Sequence, residues 1–128
     1  MRLLLDTHVL LWAAGEPEKL SAAGRNLLLN HDNSLYFSPA SIWEIVIKRG
    51  LGRDDFQVDP VRLRKLLILN GYNEVPVITD HALFLESLPQ IHKDPFDRIL
   101  LAQARSEGMQ LVSSDSLLLR YGDGIIGV

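Results

Sequence analysis

Four acids of this chain, Asp6, Glu44, Asp97 and Asp115, stand in apolar surroundings at places where a strand ends or a helix begins. The most informative stretch is His92 to Ala104, HKDPFDRILLAQA. Asp94 is a good helix N-cap, Pro95 suits the first helical position, and Asp97 falls at the third. There a carboxylate meets free backbone N–H groups and the positive end of the helix dipole. Behind them Ile99, Leu100, Leu101, Ala102 and Ala104 make a helix that is apolar on most sides, as one packed on a sheet must be. Capping by itself accounts for Asp94 and Asp97. An exposed ion pair with Lys48, four residues on, equally accounts for Glu44.

What points past these local explanations is recurrence. Several carboxylates brought close together repel one another unless one takes a proton or a cation joins them, and hard divalent cations favour oxygen ligands. Mg²⁺ or Mn²⁺ is the economical occupant of such a site. That chemistry suits phosphodiester hydrolysis, in which the metal binds a phosphoryl oxygen, lowers the pKa of a bound water and offsets charge on the leaving oxygen.

Whether the acids meet depends on the elements that carry them. Arg2 to Leu5 reads as a short strand of a parallel sheet, buried on both faces and ending at Asp6. A helix over Val9 to Ala14 is stopped by Gly15 and Pro17, and a second runs from about Ser21, its cap, to Asn30. Leu35 to Phe37 is the second strand. In SPAS, Ser38 is the N-cap and Pro39 the first residue of a helix reaching Arg49 or Gly50, with Glu44 in its second turn. Leu51 to Val58 is a loop, and Asp59-Pro60 opens a helix to Asn70 that Gly71 closes. The pattern then predicts a third strand over Val75 to Ile78 and a helix capped by Thr79 through about Leu88. After the Asp94 helix, stopped by Gly108, come a strand over Gln110 to Ser113 that ends beside Asp115 and an edge strand within Gly124 to Val128. Strands alternating with helices through short loops predict a three-layer α/β/α sandwich with a mainly parallel central sheet, formed by residues 1–128 as one domain. In such a sheet, strand ends and helix starts share one edge, where ligands bind. The four acids can therefore converge.

Composition narrows the alternatives. A chain of 128 residues, 47% hydrophobic, can bury one substantial core. It has no apolar run long enough to span a bilayer and no signal-peptide core, which leads to the expectation of a cytoplasmic protein without a membrane partner. Lacking cysteine, it has no thiolate site, and His8, His31, His81 and His92 show no close metal-ligand spacing, so they read as surface or hydrogen-bonding residues. The net charge of −3 argues against a nucleic-acid grip over the whole surface but leaves room for local strips at Lys48, Arg49 and Arg53 or at Arg62, Arg64 and Lys65. Either strip is equally a solvated helix face. No phosphate loop, dinucleotide fingerprint or GxSxG elbow is present.

The opening LLLDTHVLLW, the SPASIWEI segment, HKDPFDRILLAQA and LVSSD, in that order, resemble the PIN-domain ribonucleases, and specifically the VapC-like toxins of bacterial VapBC (type II) toxin–antitoxin pairs. The resemblance spans nearly the whole chain. It implies a PIN fold and a Mg²⁺- or Mn²⁺-dependent endoribonuclease, usually a homodimer, held inactive by a cognate VapB-like antitoxin that an apolar groove would receive as an amphipathic helix. Carried over by motif, Asp6, Glu44, Asp97 and Asp115 are the metal-binding and catalytic acids. Ser113 stands where the family usually has threonine, a change that keeps the hydroxyl. Thr7 and Ser113 are expected to orient the carboxylates, and Lys48, Arg49 or Arg98 to position RNA phosphates. Two other readings remain at this stage: a metal- and antitoxin-binding regulatory module without turnover, and a structure-selective DNA nuclease, which the lack of an accessory domain disfavours.

Overall fold

The computed structural model describes residues 1–53 and 56–128. Five parallel strands form its sheet: β1 (Arg2–Leu5), β2 (Ser34–Phe37), β3 (Asn73–Glu74), β4 (Gln110–Ser113) and β5 (Ile125–Gly127), in the spatial order β3-β2-β1-β4-β5. The helices are α1 (Thr7–Gly15), α2 (Ala22–Leu29), α3 (Pro39–Gly50), α4 (Pro60–Leu69), α5 (Thr79–Phe84), α6 (Pro95–Glu107) and α7 (Ser116–Leu119). Because side chains alternate along a strand, the sheet has two apolar faces. Leu4, Tyr36, Leu111 and Ile125 face a core shared with Leu100, Leu101 and Ala104 of α6 and Phe84 of α5. On the other face, Leu3, Leu5, Phe37 and Val112 pack with Val9 and Leu10 of α1, Ile45 of α3, and Leu63 and Leu67 of α4. This is the predicted three-layer α/β/α sandwich. None of the helices among the described residues is long and apolar enough to cross a membrane.

Three local expectations are corrected. The third strand lies at Asn73–Glu74 rather than Val75 to Ile78. Val75 still donates its N–H to Phe37 O at 2.9 Å, but Pro76 has no N–H with which to continue the ladder. At a sheet edge, polar Asn73 and Glu74 can form the strand. Thr79 is the first residue of α5 and not its cap: Ile78 takes the cap position, and its N–H donates to His81 Nδ1 at 3.1 Å. That helix gives way after Phe84 to a single 3₁₀ turn over Leu85–Ser87. Finally, α1 begins at Thr7, two residues before the predicted start, because Asp6 caps it by accepting the Val9 N–H at 2.9 Å. The loop expected over Leu51 to Val58 includes Asp54 and Asp55, which lie outside the described residues.

Candidate metal centre

The carboxyl edge of the sheet is built from helix caps. Asp6 ends β1 and caps α1, Ser38 ends β2 and caps α3, and Asp115 follows β4 and caps α7 through Leu117 N at 2.8 Å and Leu118 N at 3.2 Å. Asp94 caps α6 through Phe96 N at 2.8 Å and Asp97 N at 3.3 Å, with Pro95 after it. That cap leaves the Asp97 side chain free of backbone duty in the first turn, where the helix dipole favours its charge.

Asp6 is almost wholly buried, and its two oxygens are separately engaged: Oδ1 by the Val9 N–H and Oδ2 by the Ser113 hydroxyl. Burial is the largest influence on it and raises its pKa, against the lowering effect of those bonds; Asp115 adds to the rise. Ser113 Oγ in turn accepts the Asp115 N–H at 3.0 Å, so one hydroxyl ties the first and last acids together. Thr7, also buried, donates its hydroxyl to Ser41 Oγ on α3 at 3.0 Å rather than to a carboxylate.

Glu44 is not the exposed partner of an ordinary helical ion pair. The pair with Lys48 exists, at 3.0 Å, but Glu44 is only 6% exposed. Its Oε2 faces Lys48 while its Oε1 is buried with no hydrogen-bond partner among the described residues. An unpartnered buried carboxylate oxygen costs on the order of 1–3 kcal/mol, which a bound cation would offset. Gln103 also has an unpartnered Oε1, but its amide nitrogen is held by Val75 O at 3.2 Å and it carries no charge.

Asp97 is pushed up to about 6, first by burial and then by the fields of Asp94, Asp6 and Glu44, against a lowering hydrogen bond from His92. Two of the other expected acids, Asp6 and Glu44, are among the charges that raise Asp97. His92 is the site residue that the sequence reading left among ordinary hydrogen-bonding histidines. Its Nε2 lies 2.8 Å from Asp97 Oδ2 and 3.8 Å from Asp115 Oδ2. No local spacing marks it, since its partners are brought up by the fold.

Among the described residues, one group of three metal-capable side chains has ligand atoms within 4.8 Å of one another: His92, Asp94 and Asp97. Asp115 reaches His92, with Oδ2 3.8 Å from Nε2, but is not part of that mutually close trio, and neither are Asp6 and Glu44. The donor set of carboxylates, one with an unpartnered oxygen, fits a hard divalent cation. Of the three cations expected to meet phosphates, Lys48 is beside the site through Glu44, and Arg49 lies 3.6 Å from Asp59, half-exposed. Arg98 turns inward, its guanidinium bonded to Pro89 O and the Tyr121 hydroxyl, each at 3.0 Å. In the second basic strip, Arg64 is paired in two bonds with Glu74, as a solvated helix face allows. An apolar cavity of about 410 Å³ opens beside the site between the first turns of α3 and α6, where Trp43 meets Phe96 edge to face at 5.0 Å. A groove of about 670 Å³ at the opposite sheet edge, by Ser34 and Asn73, is lined by no acid.

The PIN domain family model matches residues 3–124 of this chain. No curated protein matches it. Among solved structures, the chain is similar to VapBC2 from Rickettsia felis bound to a DNA fragment from its promoter, at 14% identity over 100% of this chain and 98% of that one, with a TM-score of 0.69. It is similar to DNA-bound VapBC from Salmonella typhimurium at 15% identity, covering 100% and 97% with a TM-score of 0.67. A third likeness is to FitAcB from Neisseria gonorrhoeae, 17% identical over 98% and 96%, also at 0.67. At these identities the likeness speaks for the fold.

Proposed function

This chain belongs to the PIN-domain family, and from that premise we propose that it is a divalent-metal-dependent endoribonuclease, the VapC-like toxin of a toxin–antitoxin pair. The observation that carries the reading is the buried, unpartnered Glu44 Oε1 at a sheet edge where Asp6, Asp97 and Asp115 gather. Asp6, Glu44 and Asp97, with help from Asp115, would hold Mg²⁺ or Mn²⁺. When bound, such an ion acidifies a water and offsets negative charge on a phosphodiester.

The remaining steps belong to the chain. Ser113 fixes the orientation of Asp6 Oδ2 and of the Asp115 backbone through one hydroxyl. Thr7 locks α1 to α3 through Ser41, which holds Asp6 and Glu44 in register. Lys48, partly exposed beside Glu44, meets a backbone phosphate, with half-exposed Arg49 one residue further along the same helix.

The antitoxin is a VapB-like chain whose amphipathic helix covers the apolar stripe Trp43, Val46, Ile47 and Leu51, all more than 40% exposed. The toxin acts in the cytoplasm as a homodimer. Calorimetric titration of the purified protein with Mn²⁺ tests the centre: saturable binding that weakens at least about tenfold in Glu44→Gln is expected. Equal binding by that variant would remove Glu44 from the site.

A further inference from the structure

Three of the acids have a visible means of orientation, and Asp97 has a different one. Asp6 is fixed by Val9 N and Ser113, Asp115 by its cap bonds, and Glu44 by Lys48. The first-turn N–H groups of α6 that could have steadied Asp97 go to Asp94 instead. Among the described residues, His92 Nε2 is the one hydrogen-bond partner of the Asp97 carboxylate. The placement of that imidazole depends on residues far along the chain. The His92 backbone N–H donates to the Tyr121 hydroxyl at 3.0 Å, and the same hydroxyl accepts from Arg98 Nη1 at 3.0 Å. Arg98, adjacent to Asp97, also donates to Pro89 O at 3.0 Å. Tyr121 is itself held by its ring against the α6 side of the core and by Arg105 Nη2 donating to its carbonyl at 3.1 Å.

We propose that Tyr121, Arg98 and His92 form a positioning clamp that aims the Asp97 carboxylate into the metal centre. The inference rests on the metal-site reading above. It gives Arg98 a role other than phosphate binding and brings Tyr121, which no motif singled out, into the function. In this role His92, its Nε2 engaged by Asp97 Oδ2, acts through Asp97 rather than as a ligand itself. Its Nε2–H holds one Asp97 oxygen, so the carboxylate presents the other. A carboxylate without that bond samples several rotamers and must be ordered when the cation arrives, which weakens binding.

The test compares the full-length protein with His92→Ala, His92→Gln and Tyr121→Phe by Mn²⁺ calorimetry, with circular dichroism and thermal melts to follow the fold. His92→Ala and Tyr121→Phe are expected to bind Mn²⁺ about tenfold more weakly. His92→Gln, whose amide nitrogen can stand where Nε2 stood, restores most of the affinity. A purely structural role would lower the melting temperature of Tyr121→Phe and leave its Mn²⁺ affinity alone. That result, or unchanged binding by His92→Ala, overturns the proposal. A second readout separates the clamp from the metal site: the Nε2 proton of His92 in the metal-free protein, observed by ¹⁵N-edited NMR. It is expected to be protected from exchange and to lose that protection in Tyr121→Phe. Protection that vanishes on schedule in a protein binding no Mn²⁺ would defeat the metal-site reading and leave the clamp standing; protection that persists in Tyr121→Phe would defeat the clamp.

Discussion

Asp97 is the residue at which the centre can be read by titration. Burial and three neighbouring acids raise its pKa from 3.8 to about 6, so between those values the folded chain keeps a proton that the unfolded chain has lost. Folding stability from this group therefore falls as pH rises through about 4 to about 6 and is flat above. Asp97→Asn, which carries no charge, should gain on the parent protein in denaturant unfolding across that window, in metal-free buffer, and keep a constant lead at higher pH. A parent that instead gains on the variant as pH rises would mean that the carboxylate is stabilised in its charged form and that the neighbouring acids do not reach it. The raised Asp6 works in the same direction. Added Mn²⁺ competes with these protons and stabilises the protein more above the window than below it.

Among the elements, α6 raises the question of what its first turn is for. Asp94 caps it with Oδ1 and also belongs to the compact trio with His92 and Asp97. Substitution separates the two roles. Asp94→Ala should cost about 1 kcal/mol in unfolding measurements, the worth of an N-cap, whereas Asp94→Asn keeps the cap and its stability. If capping is the whole role, Asp94→Asn also binds Mn²⁺ as the parent does, and weaker binding would place Asp94 among the ligands. The caps Ser38, Asp59 and Asp94 were legible in the sequence because each is followed by proline and makes its bonds within three residues. Asp6 as a cap was not, since it stood at the end of an apolar strand. The start of α5 was hidden for a related reason: the cap acceptor is a histidine ring reaching back to Ile78, a bond that sequence preferences for Ser, Thr, Asp and Asn do not anticipate. β3 was misplaced because its two polar residues pair with Tyr36 and Phe37 of β2 and follow no apolar pattern.

At the scale of the whole molecule, the alternation of apolar strands and amphipathic helices was enough to predict the layers, and the parallel order brings Asp6, Asp94, Asp97 and Asp115 to one edge of the sheet. Asp6, Glu44, Asp97 and Asp115 could be proposed from the sequence because each stands at a strand end or in the first turns of a helix. His92 and Tyr121 could not, because they meet across 29 residues and only the folded chain joins them. A net charge of −3 argues against a nucleic-acid grip over the whole surface, and the exposed apolar stripe on α3 is the face on which the proposed antitoxin would lie. Whether the acid edge cleaves RNA with a divalent cation is decided by incubating the purified, antitoxin-free protein and its Asp6→Asn variant with end-labelled total RNA in Mg²⁺, Mn²⁺ or EDTA. Discrete fragments that require the metal and disappear in Asp6→Asn are expected, with the variant melting at or above the parent's temperature. Cleavage that survives EDTA, or that Asp6→Asn carries out at the parent's rate, would contradict metal-dependent cleavage at the acid edge.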